Sequence, residues 1–303
     1  MLDPLDPRSF DTREPGPSDP REAEALDPRE VFASGLDLPR GRERERVYVH
    51  EHEYDLRGSE ARALATIGTF RVVPASDLRD DDGRAGDLRH GDLERLRSAG
   101  LIRPVAPVEG DRRTTLVALT DRGRELLDHH RTPEHKLPQR FYAGPSKARE
   151  LTHDAQLYRA YLRSANRLQA QGARIHRVVL DDDLKREYQD FLQAGNRDQP
   201  ESDGRPTRSL EEVHEWAHTH DLPMLDDSVQ FPDLRIEYEW PDGRREIEDV
   251  EVLTPHYRGA HAAAKARSGF TCYRGGGARV GGRSGNSARG GRPFDPDLAD
   301  EFL

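Results

Sequence analysis

The stretch DLRHGDLERLRSAGLIRPVAPVEGDRRTTLVALTDRGRELL, residues 87–127, predicts a helix, a strand, a charged hairpin, a returning strand and a second helix. Leu93, Leu96 and Ala99 recur at the spacing of one helical face. Gly100 follows them at the position where glycine commonly ends a helix. The first helix is therefore expected to end at this glycine.

Two short apolar segments flank the charged centre of this stretch. Residues 101–102 and 116–119 predict antiparallel strands on either side of the charged turn at residues 109–113. Thr120 follows the second strand and is a suitable N-cap, because its hydroxyl can accept a hydrogen bond from the first helical turn. The last helix is therefore expected to begin directly after Thr120.

Two more helices are expected upstream. Ser59 predicts the N-cap of a helix over SEARALATIGTF, and Pro74 can open a short helix that includes Asp77. The full order predicts an N-terminal winged helix-turn-helix domain over residues 55–131. It resembles the winged helix of the multiple-antibiotic-resistance-regulator type, in which a leucine-rich recognition helix ending in Gly-Leu, a wing with Asp-Arg-Arg and a Leu-Thr-x-x-Gly-Arg helix follow in this order.

This resemblance implies binding to double-stranded DNA. In such a domain the recognition helix enters the major groove and the wing touches the backbone. An alternative is that the arginines form the solvated face of a domain that binds only protein. The candidate DNA contacts near the helix start and on the wing are Arg84, Arg89, His90, Arg112 and Arg113.

Composition limits the other possibilities. The 303 residues carry a net charge of −10, and 34% are apolar while 34% are charged, which leaves room for two modest domains with unfolded parts. The acidic total does not exclude DNA binding, because affinity depends on where arginines cluster. A single cysteine, Cys272, excludes an intramolecular disulfide and a cysteine-rich zinc site. No long apolar run or signal peptide is evident, so we expect a cytoplasmic protein without membrane contact.

Composition also suggests the domain boundaries. Residues 1–46 are rich in Asp, Pro and Arg with few apolar residues, and predict a disordered tail. Residues 132–149 contain three prolines and predict a linker to a second domain at residues 150–273. The Gly- and Arg-rich residues 274–303 predict a second disordered tail. It resembles Arg-Gly segments that hold nucleic acid without reading sequence, and a plain flexible tail is the alternative.

The sequence of the second domain predicts, in this order, a helix, a strand, a helical insertion, a hairpin, a helix and a strand. This order resembles the PD-(D/E)XK nuclease-like core, so the expected fold class is α+β, with the winged helix followed by a small α/β domain of restriction-endonuclease-like topology. The turn Pro241-Asp242-Gly243 centres the hairpin and sets a register that pairs Arg235 with Asp249 and Asp233 with Glu251. The opposite face, expected in the core, carries Leu234, Ile236, Tyr238, Val250 and Val252.

Asp233 and Glu251 are the candidate catalytic pair. Directly opposed carboxylates about 5 Å apart at Cβ are unfavourable unless a cation lies between them, so we predict that both bind Mg²⁺ or Mn²⁺ for phosphodiester cleavage. The alternative is a solvated hairpin with the carboxylates splayed apart. The lysine of the family pattern is absent two residues after the acid, and Lys265 is the candidate replacement, although an ordinary surface lysine is the alternative. Whether the protein is an enzyme stays open.

The two domains together, with His153-Asp154 early in the connecting helix, resemble the replication-relaxation family of plasmid and mobile-element proteins over residues 55–273. The resemblance implies a DNA-binding role in plasmid or mobile-element replication, mobilisation or DNA relaxation, with mobilisation or replication proteins as further partners. It does not imply that the second domain cuts DNA. A winged-helix transcriptional regulator is the alternative, and a homodimer stays open.

One motif indicates a different class of protein. His214-Glu215-Trp216-Ala217-His218 fits H-E-x-x-H, in which two histidines bind zinc and the glutamate activates water. The apolar face of this predicted helix places the histidines on its flank and Glu215 away from it. We interpret the match as incidental and keep a zinc metalloprotease as the alternative.

Overall fold

A computed structural model describes residues 27–108, 111–132, 139–144, 150–196, 208–253 and 267–274, without the side chains of 107–114. These residues form a mixed α+β fold, which confirms the predicted class at that level. None of the helices in these ranges is long and apolar enough to cross a membrane.

The helices are α1 (Glu30–Ala33), α2 (Gly58–Phe70), α3 (Gly91–Ser98), α4 (Asp121–His129), α5 (Leu151–Ala170), α6 (Asp181–Gln193) and α7 (Leu210–Thr219). The strands are β1 (Glu45–Val49), β2 (His52–Leu56), β3 (Val73–Pro74), β4 (Ile102–Val108), β5 (Asp111–Leu119), β6 (Arg174–Leu180), β7 (Met224–Leu225), β8 (Ser228–Val229), β9 (Leu234–Glu239), β10 (Arg245–Leu253) and β11 (Thr271–Arg274).

The first half of the chain has the predicted order of elements. α2 leads through a 3-10 turn at Ala75–Asp77 to α3, the hairpin β4–β5 and α4, and the sheet order is β3-β5-β4. Thr120 caps α4 as predicted, because its Oγ1 accepts a hydrogen bond from the Gly123 amide at 3.1 Å. Gly100 follows α3 with a φ of 72°, the left-handed conformation that favours glycine.

The predicted tail over residues 1–46 is wrong from residue 27 onward. The Phe32 side chain of α1 is fully buried, and its ring lies 5.3 Å from Phe70 and 5.0 Å from Tyr161. Leu36 and Leu38 are also buried. These few apolar residues suffice because they complete a core built by other elements instead of building one of their own. Residues 1–26 lie outside the described part.

The second half contains a four-stranded sheet of order β11-β10-β9-β6, in which β11 runs parallel to β10 and the other pairs are antiparallel. The predicted hairpin register is confirmed along β9, since Arg235 pairs with Asp249; Asp233 precedes β9, and its predicted partner Glu251 lies one residue beyond the last pair, Leu234 with Val250. The predicted core face is confirmed by burial of Leu234, Ile236, Tyr238, Val250 and Val252.

The predicted linker does not separate two cores. One cluster of buried apolar residues runs from α1 and α2 into α5 and the four-stranded sheet. Within residues 132–149, Phe141 is buried, and the Tyr142 amide donates to the Gly68 carbonyl at 2.8 Å. Ion pairs of Arg71 with Asp182 and of Arg159 with Asp77 join the halves further. The linker was predicted from its prolines, but its described residues pack into the shared core.

Candidate functional site

The N-terminal end of α3 is held by contacts with residues at the N-terminal end of α2. Asp92 is buried and accepts hydrogen bonds from Arg57 Nε at 3.0 Å and Ser59 Oγ at 2.5 Å. Ser59 therefore lies inside α2 and holds α3, instead of capping α2 as predicted. Leu93 and Leu96 are buried on the same side of α3. Arg95, Arg97 and Ser98 of α3 are exposed to solvent.

Three arginines at α3 are exposed to solvent. Arg89 lies just before the helix, and Arg95 and Arg97 lie on it. The structure pairs none of these guanidinium groups with a carboxylate of the described residues, while the one buried acid of the helix, Asp92, is neutralised by Arg57. Glu94 is the other acid of α3, and its Oε1 accepts a hydrogen bond from Ser98 Oγ at 2.7 Å, so the three arginine side chains are left without ion pairs among the described residues.

The other predicted DNA contacts differ in whether their side chains are paired with an acid. Arg84 pairs with Asp82 at 3.0 Å in the turn that precedes α3, and His90 Nδ1 lies 3.8 Å from Asp87. Arg112 and Arg113 belong to β5 at the turn end of the β4–β5 hairpin, as predicted, but their side chains lie outside the described part. Of the predicted set with described side chains, Arg89 is the one whose side chain has no ion pair among the described residues, although its backbone amide donates to Asp87 Oδ1 at 2.7 Å.

The predicted acidic site is built differently from the expectation. Asp233 lies directly before β9, and its Oδ2 accepts a hydrogen bond from the Val252 amide at 2.8 Å. The same oxygen lies 3.1 Å from His153 Nε2 on α5. Glu251 is fully buried on β10, so the solvated, splayed alternative does not apply to it. The carboxylate of Asp233 is thus already bound by two groups of the protein, the Val252 amide and the His153 imidazole.

His153 carries a positive charge at this site. Burial by itself lowers the pKa of His153, but hydrogen bonds to Asp154 and Asp233, together with their negative charges, raise the pKa to about 10. His153 is therefore an imidazolium at neutral pH, and it lies between two carboxylates, with Nδ1 3.6 Å from Asp154. The imidazolium of His153 therefore provides the positive charge that was predicted beside Asp233.

The described residues contain no ready-made site for a divalent ion. They contain no group of three or more His, Cys, Asp or Glu side chains able to hold a metal. Magnesium requires several oxygen ligands in near-octahedral geometry, and one oxygen of Asp233 is already used by two donors. Mg²⁺ or Mn²⁺ at Asp233 and Glu251 stays a prediction, and Lys265 lies outside the described part.

The comparisons do not identify a relative. Family models, curated proteins and solved structures were compared with the chain, and none matched. The resemblance to the replication-relaxation family therefore stays a prediction based on motifs.

Two residues near Asp233 were not assigned from the sequence. His153 was noted only as a neighbour of Asp154, and its partner Asp233 is distant in sequence. Lys185 on α6 binds Asp181 at 2.7 Å. Burial by itself lowers the pKa of Lys185, but Asp181 raises it, with smaller contributions from Asp182 and Asp233. The Asp181 amide donates to the Asp233 carbonyl at 3.3 Å, so Lys185 is linked to Asp233 through Asp181, and its spacing in the sequence gave no sign of this.

The H-E-x-x-H motif lies on the outer side of α7. Val213 and Ala217 are buried, while His214, Glu215 and His218 are all exposed. His214 Nε2 lies 3.7 Å from Asp227, a contact between two exposed side chains. The described residues offer no third ligand in metal-binding geometry. This arrangement favours the interpretation that the match is incidental.

Proposed function

We propose that the protein binds double-stranded DNA through α3 and the β4–β5 hairpin, which act as a winged helix-turn-helix, in the replication, mobilisation or relaxation of a plasmid or mobile element. The observation that carries the proposal is the set of exposed, uncompensated arginines at α3: Arg89, Arg95 and Arg97. Phosphate contacts from such arginines supply most of the sequence-independent affinity for DNA.

The order of elements supports the same proposal. The 3-10 turn, α3, the hairpin and α4 follow one another as the first helix, recognition helix, wing and last helix of that domain type would. The hairpin strands contain 7 and 9 residues, and Arg112 and Arg113 lie near its turn, before the first buried residue of β5, Leu116, among those with described side chains. A recognition helix beside a long basic hairpin can contact a groove and the adjacent backbone together.

The net negative charge of the protein does not prevent DNA from binding near α3. Two acids of the turn before α3 are paired with arginines from upstream, because Asp81 pairs with Arg62 and Asp82 lies 3.6 Å from Arg42, while Asp80 accepts hydrogen bonds from the backbone amides of Asp82 and Arg84. Local potential, rather than net charge, steers a polyanion to a surface.

Salt-dependent binding tests this function. Affinity for a fluorescently labelled duplex is measured over a range of salt concentrations for Arg95→Ala/Arg97→Ala. Each lost phosphate contact lowers the salt slope by about 0.9, so the double variant should lose about 2 units of slope. The matched control is Arg46→Ala/Arg124→Ala, which removes two exposed arginines that already face Glu53 and Asp128. Equal slopes for wild type and Arg95→Ala/Arg97→Ala would reject the proposal.

A second candidate function is divalent-metal-dependent cleavage of DNA at Asp233 and Glu251. The observation that favours it is that Lys185 binds Asp181, whose amide donates to the Asp233 carbonyl, because a lysine near an acidic pair can stabilise the charge that develops on a phosphate. The ion would first have to displace His153 from Asp233.

Transcriptional regulation uses the same DNA-binding surface and is distinguished by selective binding to one operator sequence.

A further inference from the structure

The buried residues of α3 define which residues form its outer face. Asp92, Leu93 and Leu96 are buried. An α-helix turns by about 100° per residue, so the direction opposite these three residues passes within about 30° of Glu94 and Ser98. Glu94 and Ser98 are four residues apart and therefore neighbour each other along this face. The middle of the outer face of α3 is thus formed by Glu94 and Ser98.

Arg95 and Arg97 lie on the two flanks of this face. By the same geometry each arginine lies about 80° from the middle of the face, on opposite sides. Both are exposed, and neither forms an ion pair with a described residue. When a recognition helix lies in the major groove, the middle of its outer face is next to the base edges and its flanks are next to the bordering phosphates. The two arginines are therefore placed for phosphates, and Glu94 for bases.

Glu94 needs an explanation on such a face, because a carboxylate repels the phosphates of DNA. It forms no ion pair with a described residue, although Arg95 and Arg97 are close in sequence. Its Oε1 accepts a hydrogen bond from Ser98 Oγ at 2.7 Å, which orients the carboxylate along the outer face. Its Oε2 accepts no hydrogen bond from the described residues. Glu94 is thus an oriented acceptor with one oxygen available to an external donor.

Cytosine is the base that best matches such an acceptor. In the major groove, cytosine presents the N4 amino group as a donor. Adenine presents its amino group beside the acceptor N7, while guanine and thymine present only acceptors among their polar groups. An ionised glutamate can only accept hydrogen bonds, so those acceptors repel it. Glu94 therefore favours cytosine over the other three bases.

We propose that Glu94 accepts a hydrogen bond from the amino group of a cytosine in the major groove, so that the protein selects duplexes with a C·G base pair at this position. This inference rests on the proposed function. The arginines of α3 supply affinity through phosphates, which carry no sequence information. Glu94 supplies discrimination, because at any other base its charge lies beside acceptors and weakens binding.

Selection from randomised duplexes tests this contact. Full-length wild type, Glu94→Gln and Glu94→Ala each select sequences from the same duplex library. Wild type should enrich cytosine at one position. Glu94→Gln should enrich adenine there, because glutamine pairs with N6 and N7 of adenine, and Glu94→Ala should lose the preference. The matched control is Glu215→Gln, which neutralises an exposed acid on α7 and should still select cytosine.

A duplex of the selected sequence then gives the size of the effect. Replacing its C·G base pair by T·A should weaken binding of wild type roughly tenfold or more. The same replacement should weaken binding of Glu94→Ala by less than about threefold. Arg95→Ala/Arg97→Ala should bind both duplexes more weakly and keep the preference for C·G, because phosphate contacts do not depend on sequence.

The outcomes separate this inference from the proposed function. A wild type that binds no duplex overturns both. A wild type that binds duplex DNA without enriching cytosine, or a Glu94→Gln variant that selects the same sequence as wild type, overturns only the reading by Glu94. Equal thermal unfolding midpoints exclude a weakened α3 as the cause of altered selection by Glu94→Ala. A change of the preferred base from cytosine to adenine in Glu94→Gln cannot arise from a folding defect.

Discussion

The imidazole of His153 lies 3.1 Å from the carboxylate of Asp233, and this contact joins α5 to the start of β9. The sequence predicted that the acidic pair of the hairpin needs a cation, and at Asp233 the protein supplies one from a helix. Asp233 precedes β9, an inner strand of the four-stranded sheet, so the charge state of the pair affects both stability and access to Asp233.

The first prediction concerns pH. The folded pKa of His153 is about 10, above the ordinary value of 6.5, so its stabilising contribution is complete below about pH 6.5 and is lost as pH rises through about 10. Wild type should lose about 2 kcal/mol more unfolding free energy than His153→Gln between pH 6.5 and 10, less than the full shift because the ring keeps partial contact with water. Urea unfolding at a series of pH values measures this. Parallel pH profiles would contradict it.

The second prediction concerns the acidic pair. If the second candidate function holds, supercoiled DNA should be nicked in Mg²⁺ or Mn²⁺, and Asp233→Ala should abolish the nicking. Because the metal must displace His153, His153→Ala should increase the nicking. Agarose gels of supercoiled and linear DNA measure both. A wild type that never nicks, beside an Asp233→Ala protein that folds and binds DNA normally, would assign the carboxylate a structural role.

The third prediction concerns the wing. Arg112→Ala/Arg113→Ala should weaken duplex binding and lower the salt slope by about 2 units, because two phosphate contacts are removed. Fluorescence anisotropy over a salt series measures the slope, with Arg46→Ala/Arg124→Ala as the control for charge. A slope equal to that of wild type would show that the hairpin does not touch the DNA backbone.

The fourth prediction concerns the anchor of α3. Asp92→Ala leaves the guanidinium of Arg57 and the hydroxyl of Ser59 without their shared acceptor, and should cost about 3 kcal/mol of unfolding free energy. Asp121→Ala is the control, since that carboxylate is almost fully exposed. Urea unfolding compares the two. A cost for Asp92→Ala as small as that for Asp121→Ala would mean that α3 is held by its leucines alone.

The fifth prediction concerns the N-terminal segment. Phe32→Ala should destabilise the protein by about 4 kcal/mol, because it removes a fully buried ring between Phe70 and Tyr161. Tyr48→Ala, at a side chain that is 52% exposed, is the matched aromatic control. Thermal unfolding measures both changes. Similar midpoints for the two variants would show that the segment contributes little to the core.

Sequence reasoning succeeded where the physical signal is local. The Thr120 cap, the glycine after α3 and the hairpin register follow from residues a few positions apart, and all three are confirmed. It failed where distant segments meet. The few apolar residues of α1 look insufficient alone, because nothing local shows that Phe70 and Tyr161 leave a space for Phe32. His153 and Asp233 are 80 positions apart, so their contact has no periodicity or spacing to reveal it.

The shared core of the two halves has a mechanical consequence. Because Phe32, Phe70 and Tyr161 contact one another across the junction, the halves cannot swing apart without exposing aromatic surface to water. A duplex that touches α3 and also extends over the second half must then adopt the curvature that the protein presents. The DNA bends and the protein does not, and the free energy of bending is lower at flexible pyrimidine–purine steps. The protein would select among sites by their stiffness, even at base pairs that no side chain reaches.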